Sequence, residues 1–254
     1  VFHWGIAGAA YATIFAQYVS GIGILLYVLF RCRSLFPERK DLCFDGGILK
    51  EIAGLSSLTC LQQSVMNFGI LMVQGLVNSF GATTMAAFAA AVKIDTFAYL
   101  PVQDFGNAYS TFIAQNYGAG NKERIRRGTK ESFAISTAFS LVISALVFAF
   151  AAPLMQIFVS SAETAVIASG VRYLRIEGAF YFGIGCLFLL YGYYRAIKRA
   201  EMSVVLTVIS LGIRVLLAYV LSATFLGETG IWMAIPIGWI LADLTGLLYM
   251  RKTW

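Results

Sequence analysis

Seven long apolar segments dominate this chain and leave few folds open to it. A membrane-spanning α-helix needs about 20 predominantly apolar residues, and each segment is long enough to supply them. The segments cover residues 5–30, 50–77, 84–116, 131–157, 164–194, 203–225 and 230–250. The connections between them are mostly short and rich in turn-forming residues such as glycine. The sequence therefore predicts an all-α fold, a polytopic bundle of seven membrane helices.

The composition excludes several classes of protein. Only 13% of the residues are charged, against about 25% in soluble domains. The chain therefore has too few charged residues to cover the surface of a soluble domain or to form a nucleic-acid-binding module. The four cysteines form no CxxC pair, so neither a zinc site nor a redox motif is indicated. His3 is the only histidine, and no nucleophile–base pair or phosphate-binding loop is present. We therefore expect no enzyme activity, no cofactor and no bound metal.

The basic residues indicate the orientation in the membrane. Most of the 19 lysines and arginines lie in residues 31–50, 117–130 and 195–201 and in the C-terminal tail. These regions alternate with loops whose only basic residues are Arg172 and Arg175. Because Lys and Arg accumulate on cytoplasmic loops, the sequence predicts a multi-pass protein of the cell membrane with a cytoplasmic C-terminus.

A weak internal repeat predicts that the chain is part of a longer protein. Gly5, Ile6, Ala9 and Gly21 recur at one constant shift as Gly230, Ile231, Ala234 and Gly246. Chance is the alternative explanation, because glycine and alanine are common in membrane helices. A true repeat makes residues 1–30 the last helix of an N-terminal lobe. Residues 31–49 are then a cytoplasmic linker, and residues 50–254 a six-helix C-terminal lobe. Repeated lobes are common in transporters.

Polar side chains form stripes on the second and third predicted helices. Gln63 and Asn67 lie on one face of the second, together with Ser56, Gln74 and Asn78. On the third, Lys93 and Asp104 share a face with Thr111 and Gln115, while Asp95 points the other way. Polar residues inside a membrane usually face the bundle interior and mark pathways. Hydrogen bonding between helices is the alternative.

Three further features favour a transport pathway or a buried ion pair. Pro101 predicts a break in the third helix, because proline removes a backbone donor. Glu177 and Tyr181 head an aromatic face of the fifth helix, which suits an organic cation; the alternative is that Glu177 pairs with Arg172 or Arg175. Arg214 and Asp243 lie at matching depths on the last two helices, which predicts a structural ion pair.

Five stretches of sequence together resemble one transporter family. They are PVQDFGNAYSTFIAQNYGAGNKER at 101–124, KIDTFAYLP at 93–101, QQSVMNFGILMVQGLVNSFG at 62–81, YLRIEGAFY at 173–181 and YYRAIKRAE at 193–201. The chain resembles the MATE (multidrug and toxic compound extrusion) family over essentially its whole length. The resemblance implies two six-helix lobes, of which this chain supplies the second plus the last helix of the first. It also implies export of small organic cations, driven by Na⁺ or H⁺, in partnership with the lipid bilayer and the missing N-terminal lobe.

The chain departs from the family pattern at two places. Some members carry a carboxylate in the middle of the seventh of their twelve helices. The second predicted helix of this chain corresponds to it and has Gln62, Gln63 and Ser64 there. Some carry an aspartate midway along the tenth of their twelve helices. The fifth predicted helix of this chain corresponds to it and has Gly183 and Ile184 there. Coupling would then rest on Asp95, Glu177 or Asp104, or on the missing lobe. The alternatives to an antiporter are a lipid-linked oligosaccharide flippase of the same superfamily and a non-transporting scaffold or channel.

Overall fold

The computed structural model describes residues 5–32 and 43–253, and this part of the chain is almost entirely helical. It contains eight α-helices and no strand. They are α1 (Gly5–Arg31), α2 (Gly46–Ser79), α3 (Ala82–Gly118), α4 (Lys122–Phe158), α5 (Thr164–Gly178), α6 (Tyr181–Ala196), α7 (Ala200–Ser222) and α8 (Glu228–Thr253). The chain divides into two compact units, residues 1–51 and residues 52–254. The first unit contains α1 and the start of α2. The second unit contains the rest of α2 and the six helices that follow it.

The predicted membrane helices are confirmed, with one change. Six of the described helices are individually long and apolar enough to cross a membrane. The predicted fifth span is instead a bent pair, α5 and α6, which meet at an angle of 52°. Counting the pair as one span gives the seven that the sequence predicts.

The bend between α5 and α6 changes the geometry expected of the fifth span. Phe180 leaves the helical conformation with φ −116° and ψ 19°, and its N–H donates to the Glu177 carbonyl at 2.9 Å. Glu177 therefore lies in the last turn of α5, while Tyr181 begins α6. The single continuous face predicted for these two residues is wrong, because the helix axis changes direction between them.

The predicted helix break at Pro101 is also wrong. α3 continues through Pro101 from Ala82 to Gly118. The proline-associated kink lies in α4, where Phe150 adopts φ −104° and ψ 17° just ahead of Pro153. A proline removes one backbone hydrogen bond and crowds the preceding turn, but the packing around α3 keeps that helix continuous.

The α3–α4 connection is a tight turn, as its glycines indicate. Gly120 has φ +68°, a left-handed conformation that glycine adopts without steric cost. Asn121 then caps α4, and its side-chain oxygen accepts a hydrogen bond from the Arg124 N–H at 3.1 Å. This cap lets α4 begin at Lys122, ahead of the predicted start at residue 131, so the basic segment is helical.

Helices α3, α5, α6 and α8 form the centre of the second unit. Phe88 of α3 stacks on Trp232 of α8 with ring centroids 5.5 Å apart, and Tyr173 of α5 meets the Trp232 ring edge-on at 4.9 Å. All three rings are buried. This aromatic packing holds α3, α5 and α8 together beside the polar cluster described next.

Candidate functional site

Two carboxyl groups lie buried together between α3 and α5. Asp95 of α3 is 3% exposed and Glu177 of α5 is 6% exposed. The Tyr181 hydroxyl, at the start of α6, donates a hydrogen bond to Asp95 Oδ1. The Tyr173 hydroxyl of α5 interacts with both carboxyl groups. We call these four residues the acid pocket.

The local structure explains how the acid pocket assembles. Asp95 lies on the face of α3 that also buries Ala91, Ile94 and Ala98, so its side chain enters the bundle. The bend after Glu177 then brings the first turn of α6 alongside, and Tyr181 reaches Asp95. The structure thus brings Asp95 together with two predicted site residues, Glu177 and Tyr181, that lie far from it in the sequence.

Ionisation of both carboxyl groups would place more negative charge in the acid pocket than its surroundings neutralise. Each carboxylate acts electrostatically on the other, and Arg214 of α7 acts on both. Asp95 Oδ2, Glu177 Oε2 and Arg214 Nε are buried without a hydrogen-bond partner. One guanidinium cannot balance two ionised carboxylates, and unpaired buried charge is costly. A proton or a small monovalent cation would neutralise the remaining charge.

The arginines of α5 do not pair with Glu177. Arg172 Nη1 lies 3.3 Å from Glu228 Oε1 of α8, and the Arg175 guanidinium lies over the Phe148 ring at 5.4 Å. The predicted alternative, in which Arg172 or Arg175 neutralises Glu177, is therefore wrong. Arg172 instead pairs with Glu228, and this ion pair joins the middle of α5 to the first residue of α8.

Four other predicted pathway residues lie outside the acid pocket. Gln63 and Asn67 of α2 and Lys93 and Asp104 of α3 are exposed rather than directed into the bundle interior. Farther along α3, the guanidinium of Arg195 lies 3.4 Å from Asn107 Oδ1. Within the described residues these stripes do not face the helical interior, so their part in a pathway stays a prediction; the prediction that Asp95 points away from Lys93 is confirmed.

The predicted ion pair between Arg214 and Asp243 is wrong. Asp243 faces α6, where a Cβ added at Gly183 would lie 3.6 Å from Asp243 Oδ2. Arg214 packs its own Cβ against Gly238, which lies more than one turn before Asp243 on α8. Equal depth in the membrane does not make two side chains neighbours, because they also need to point in the same direction around their helices.

Comparison with known proteins identifies the family. The MatE family model matches residues 58–220, which is most of the chain. The chain belongs to the MatE family. It is 30% identical, over 99% of its length, to the "Probable multidrug resistance protein YpnP" of Bacillus subtilis (strain 168), and covers 56% of that relative. It is 28% identical, over 96% of its length, to the "Probable multidrug resistance protein NorM" of Thermotoga maritima, and covers 53% of it.

Solved MATE structures share the fold of this MatE chain. An outward-facing multidrug resistance MATE family transporter of the MOP superfamily matches with a TM-score of 0.90 at 24% sequence identity. The match covers 99% of this chain and 56% of that one. The chain thus spans about half the length of the relatives it matches. Together with its apolar helices, the family membership makes it a multi-pass membrane protein from a family of multidrug efflux transporters.

Sequence reasoning about this MatE chain missed one member of the acid pocket, Tyr173, and assigned the nearby charge of Arg214 to the wrong partner. Tyr173 lies one helical turn before Glu177 on α5, a spacing that places both side chains on one face, so its role was open to detection. Arg214 was singled out but assigned to Asp243 instead of the acid pocket. No sequence pattern gives the rotation of α7 that directs Arg214 toward α3 and α5.

The donor atoms of the acid pocket limit what it can bind. Among the described residues of the MatE chain there is no group of three or more His, Cys, Asp or Glu side chains suited to a metal ion. The acid pocket offers two carboxyl groups and two phenol hydroxyls, which are oxygen donors for a proton or a hard monovalent cation.

Proposed function

We propose that the protein is an antiporter that exports small organic cations, drugs or metabolites by alternating access, coupled to Na⁺ or H⁺. The observation that supports this function most directly is the acid pocket inside a fold shared with multidrug transporters. Ionisable groups within a membrane commonly belong to proton or ion pathways. Asp95 and Glu177 are the coupling carboxylates in this proposal, with Tyr181 and Tyr173 as their hydroxyl partners.

Coupling follows from the electrostatics of the acid pocket. Binding of a cation to Asp95 or Glu177 removes negative charge, and this favours whichever conformation holds the neutral pocket better. The bend between α5 and α6 lies directly at the pocket, so a change in charge acts on the relative positions of these two helices. The coupling ion and the exported cation then bind in alternation, because loss of the negative charge also removes the attraction for a cationic substrate.

The exposed polar residues supply the substrate pathway in this proposal. Lys93 and Asp104 are exposed on α3, well within a helix long enough to cross the membrane. A Lys or Asp side chain at the membrane centre costs about 2.5–3.5 kcal/mol, so contact with lipid is disfavoured. We assign this surface, together with Gln63 and Asn67 of α2, to a water-filled cavity, where Asp104 attracts cations.

The cavity requires a second wall. We propose that residues 1–30 are the last helix of an N-terminal lobe and that residues 31–49 link the lobes. Residues 50–254 then form the C-terminal lobe, and the partner surface across the cavity belongs to a second six-helix lobe. Residues 33–42, which make up most of the proposed linker, lie outside the described residues.

Export of a fluorescent organic cation tests this proposed function. Cells that express the protein with both of its lobes should retain less ethidium than matched cells without it, and the difference should disappear when the driving gradient of H⁺ or Na⁺ is collapsed. An anionic dye of similar size serves as the control and should be retained equally by both cell types. Equal ethidium retention, or export that persists without either ion gradient, would contradict an ion-coupled antiporter and favour a scaffold or channel.

The proposed orientation gives a separate prediction. In a cysteine-free background, Phe80→Cys should react with a membrane-impermeant maleimide added to intact cells, because position 80 lies in an outer loop. Lys122→Cys should react only after the cells are opened, because position 122 lies on the cytoplasmic side with the C-terminus. Both positions are exposed, so a difference in labelling reports the side of the membrane. The reverse pattern would overturn the orientation.

A further inference from the structure

Asp243 is a buried carboxyl group outside the acid pocket. It lies on α8, is 8% exposed, and its Oδ1 atom is enclosed without a hydrogen-bond partner. It is well inside a helix that is long and apolar enough to cross the membrane. A buried carboxyl group with an unsatisfied oxygen needs an explanation, because a hydrogen bond left unmade in a protein interior is costly.

The groups around Asp243 come mainly from α6. The Cys186 thiol interacts with the Asp243 carboxyl, and the carboxyl also acts on the Tyr191 hydroxyl. Gly183 leaves open the space beside Oδ2, since an added Cβ would lie 3.6 Å from that atom. The neighbours on α6 are thus a weak donor, a phenol and a glycine, and none of them carries a positive charge.

No positive charge from the other neighbouring helices neutralises Asp243. In residues 5–32 and 43–253, no basic side-chain nitrogen lies within 4.0 Å of its carboxylate. Arg214 of α7 acts on the acid pocket instead, and Arg172 of α5 pairs with Glu228. An isolated carboxylate at such a site is strongly disfavoured, and a buried group of this kind neutralises itself by binding a proton.

We propose that Asp243 is a second proton-binding site of this protein, separate from the acid pocket. Its ligand is a proton rather than a metal ion, because one carboxyl group and one thiol are too few donors for a hard cation that requires several oxygens. The two sites lie on different sides of the first turns of α6. Tyr181 reaches Asp95 on α3, whereas Gly183 and Cys186 face Asp243 on α8. The site exists whether or not the chain exports organic cations.

Cys186 provides a built-in reporter for this proton. With Cys32, Cys43 and Cys60 replaced by serine, Cys186 is the only thiol left. The protein is purified in detergent, and mass spectrometry measures the rate at which Cys186 reacts with a small membrane-permeant thiosulfonate. A carboxylate beside the thiol suppresses the reactive thiolate, whereas a protonated carboxyl group resembles asparagine. The rate with Asp243 divided by the rate with Asp243→Asn should be close to one near pH 6. It should fall about fivefold or more as the pH is raised and the carboxyl group loses its proton.

A matched control and a second measurement keep the test decisive. Glu123→Gln removes an exposed carboxylate at the start of α4 and should leave the pH profile of Cys186 unchanged. Infrared spectra near pH 6 should show a protonated carboxyl band that Asp243→Asn removes, and this measurement needs no access to the thiol. A rate ratio well below one already near pH 6, or the absence of an infrared band from Asp243, would overturn the proposal.

Discussion

Replacing Asp95 with asparagine should abolish export of a cationic dye at normal expression, with a loss of about tenfold or more. Coupling free energies between sites typically correspond to factors of 5–150, and the substitution removes one of the two carboxylates of the acid pocket while keeping its shape. Tyr181 can still donate to the amide oxygen, so the helices should stay packed. The measurement is dye efflux in cells, normalised to the amount of protein in the membrane.

The companion variants rank the three candidate carboxylates. Glu177→Gln should also lower efflux strongly, because Glu177 is buried and shares the field of Arg214. Asp104→Asn should lower it least, because Asp104 is exposed on α3. Glu131→Gln is a matched control, since Glu131 forms an exposed pair with Arg127 outside the proposed pathway. Efflux that survives neutralisation of all three candidates, with its ion dependence intact, would show that coupling does not depend on these three carboxyl groups.

Substituting Gly238 with alanine should strongly destabilise the packing of α7 against α8. A Cβ at position 238 would lie 2.3 Å from the Ser210 backbone carbonyl oxygen and 3.3 Å from the Cβ of Arg214. Backbone cannot move aside as a flexible side chain can, so the two helices must separate. Overpacking of this kind costs about 1–3 kcal/mol or more, and the midpoint of thermal unfolding in detergent should fall accordingly.

Gly212→Ala is the matched control for this prediction. Gly212 also lies in a membrane helix, but nothing comes within 4 Å of the Cβ that alanine would add. Because alanine favours helix by up to about 1 kcal/mol over glycine, this variant should keep or raise the unfolding midpoint. Equal midpoints for the two variants would show that α7 and α8 do not approach each other as closely as the structure describes.

The membrane helices could be predicted from the sequence because their length and apolar character are local properties. The division of the fifth span could not, since the bend at Phe180 contains no proline and follows only a single glycine, Gly178. At Pro101 the sequence predicted a helix break that the structure does not contain. Its local effect was overridden by the packing of α3, whose face on either side of it is buried.

The members of the acid pocket could be named one by one, but their meeting could not be predicted. Asp95, Glu177 and Tyr181 were all singled out as polar groups in apolar helices, yet hydropathy says nothing about which helices are neighbours. Arg214 shows the limit most clearly. Its depth matched that of Asp243, while the rotation of α7 about its axis, which depends on the packing of many side chains, directs its charge to the acid pocket.

The bend between α5 and α6 also places Glu177 between the ends of two helices. The C-terminus of α5 carries partial negative charge and the N-terminus of α6 partial positive charge. Glu177 lies in the last turn of α5. Tyr181 is the first residue of α6, and its hydroxyl donates a hydrogen bond to Asp95. Any change in the 52° angle therefore changes the balance of dipole fields that Glu177 experiences. Binding and conformation are linked reciprocally. If a change in this angle alters the affinity for a cation by some factor, cation binding shifts the equilibrium between the two conformations by the same factor.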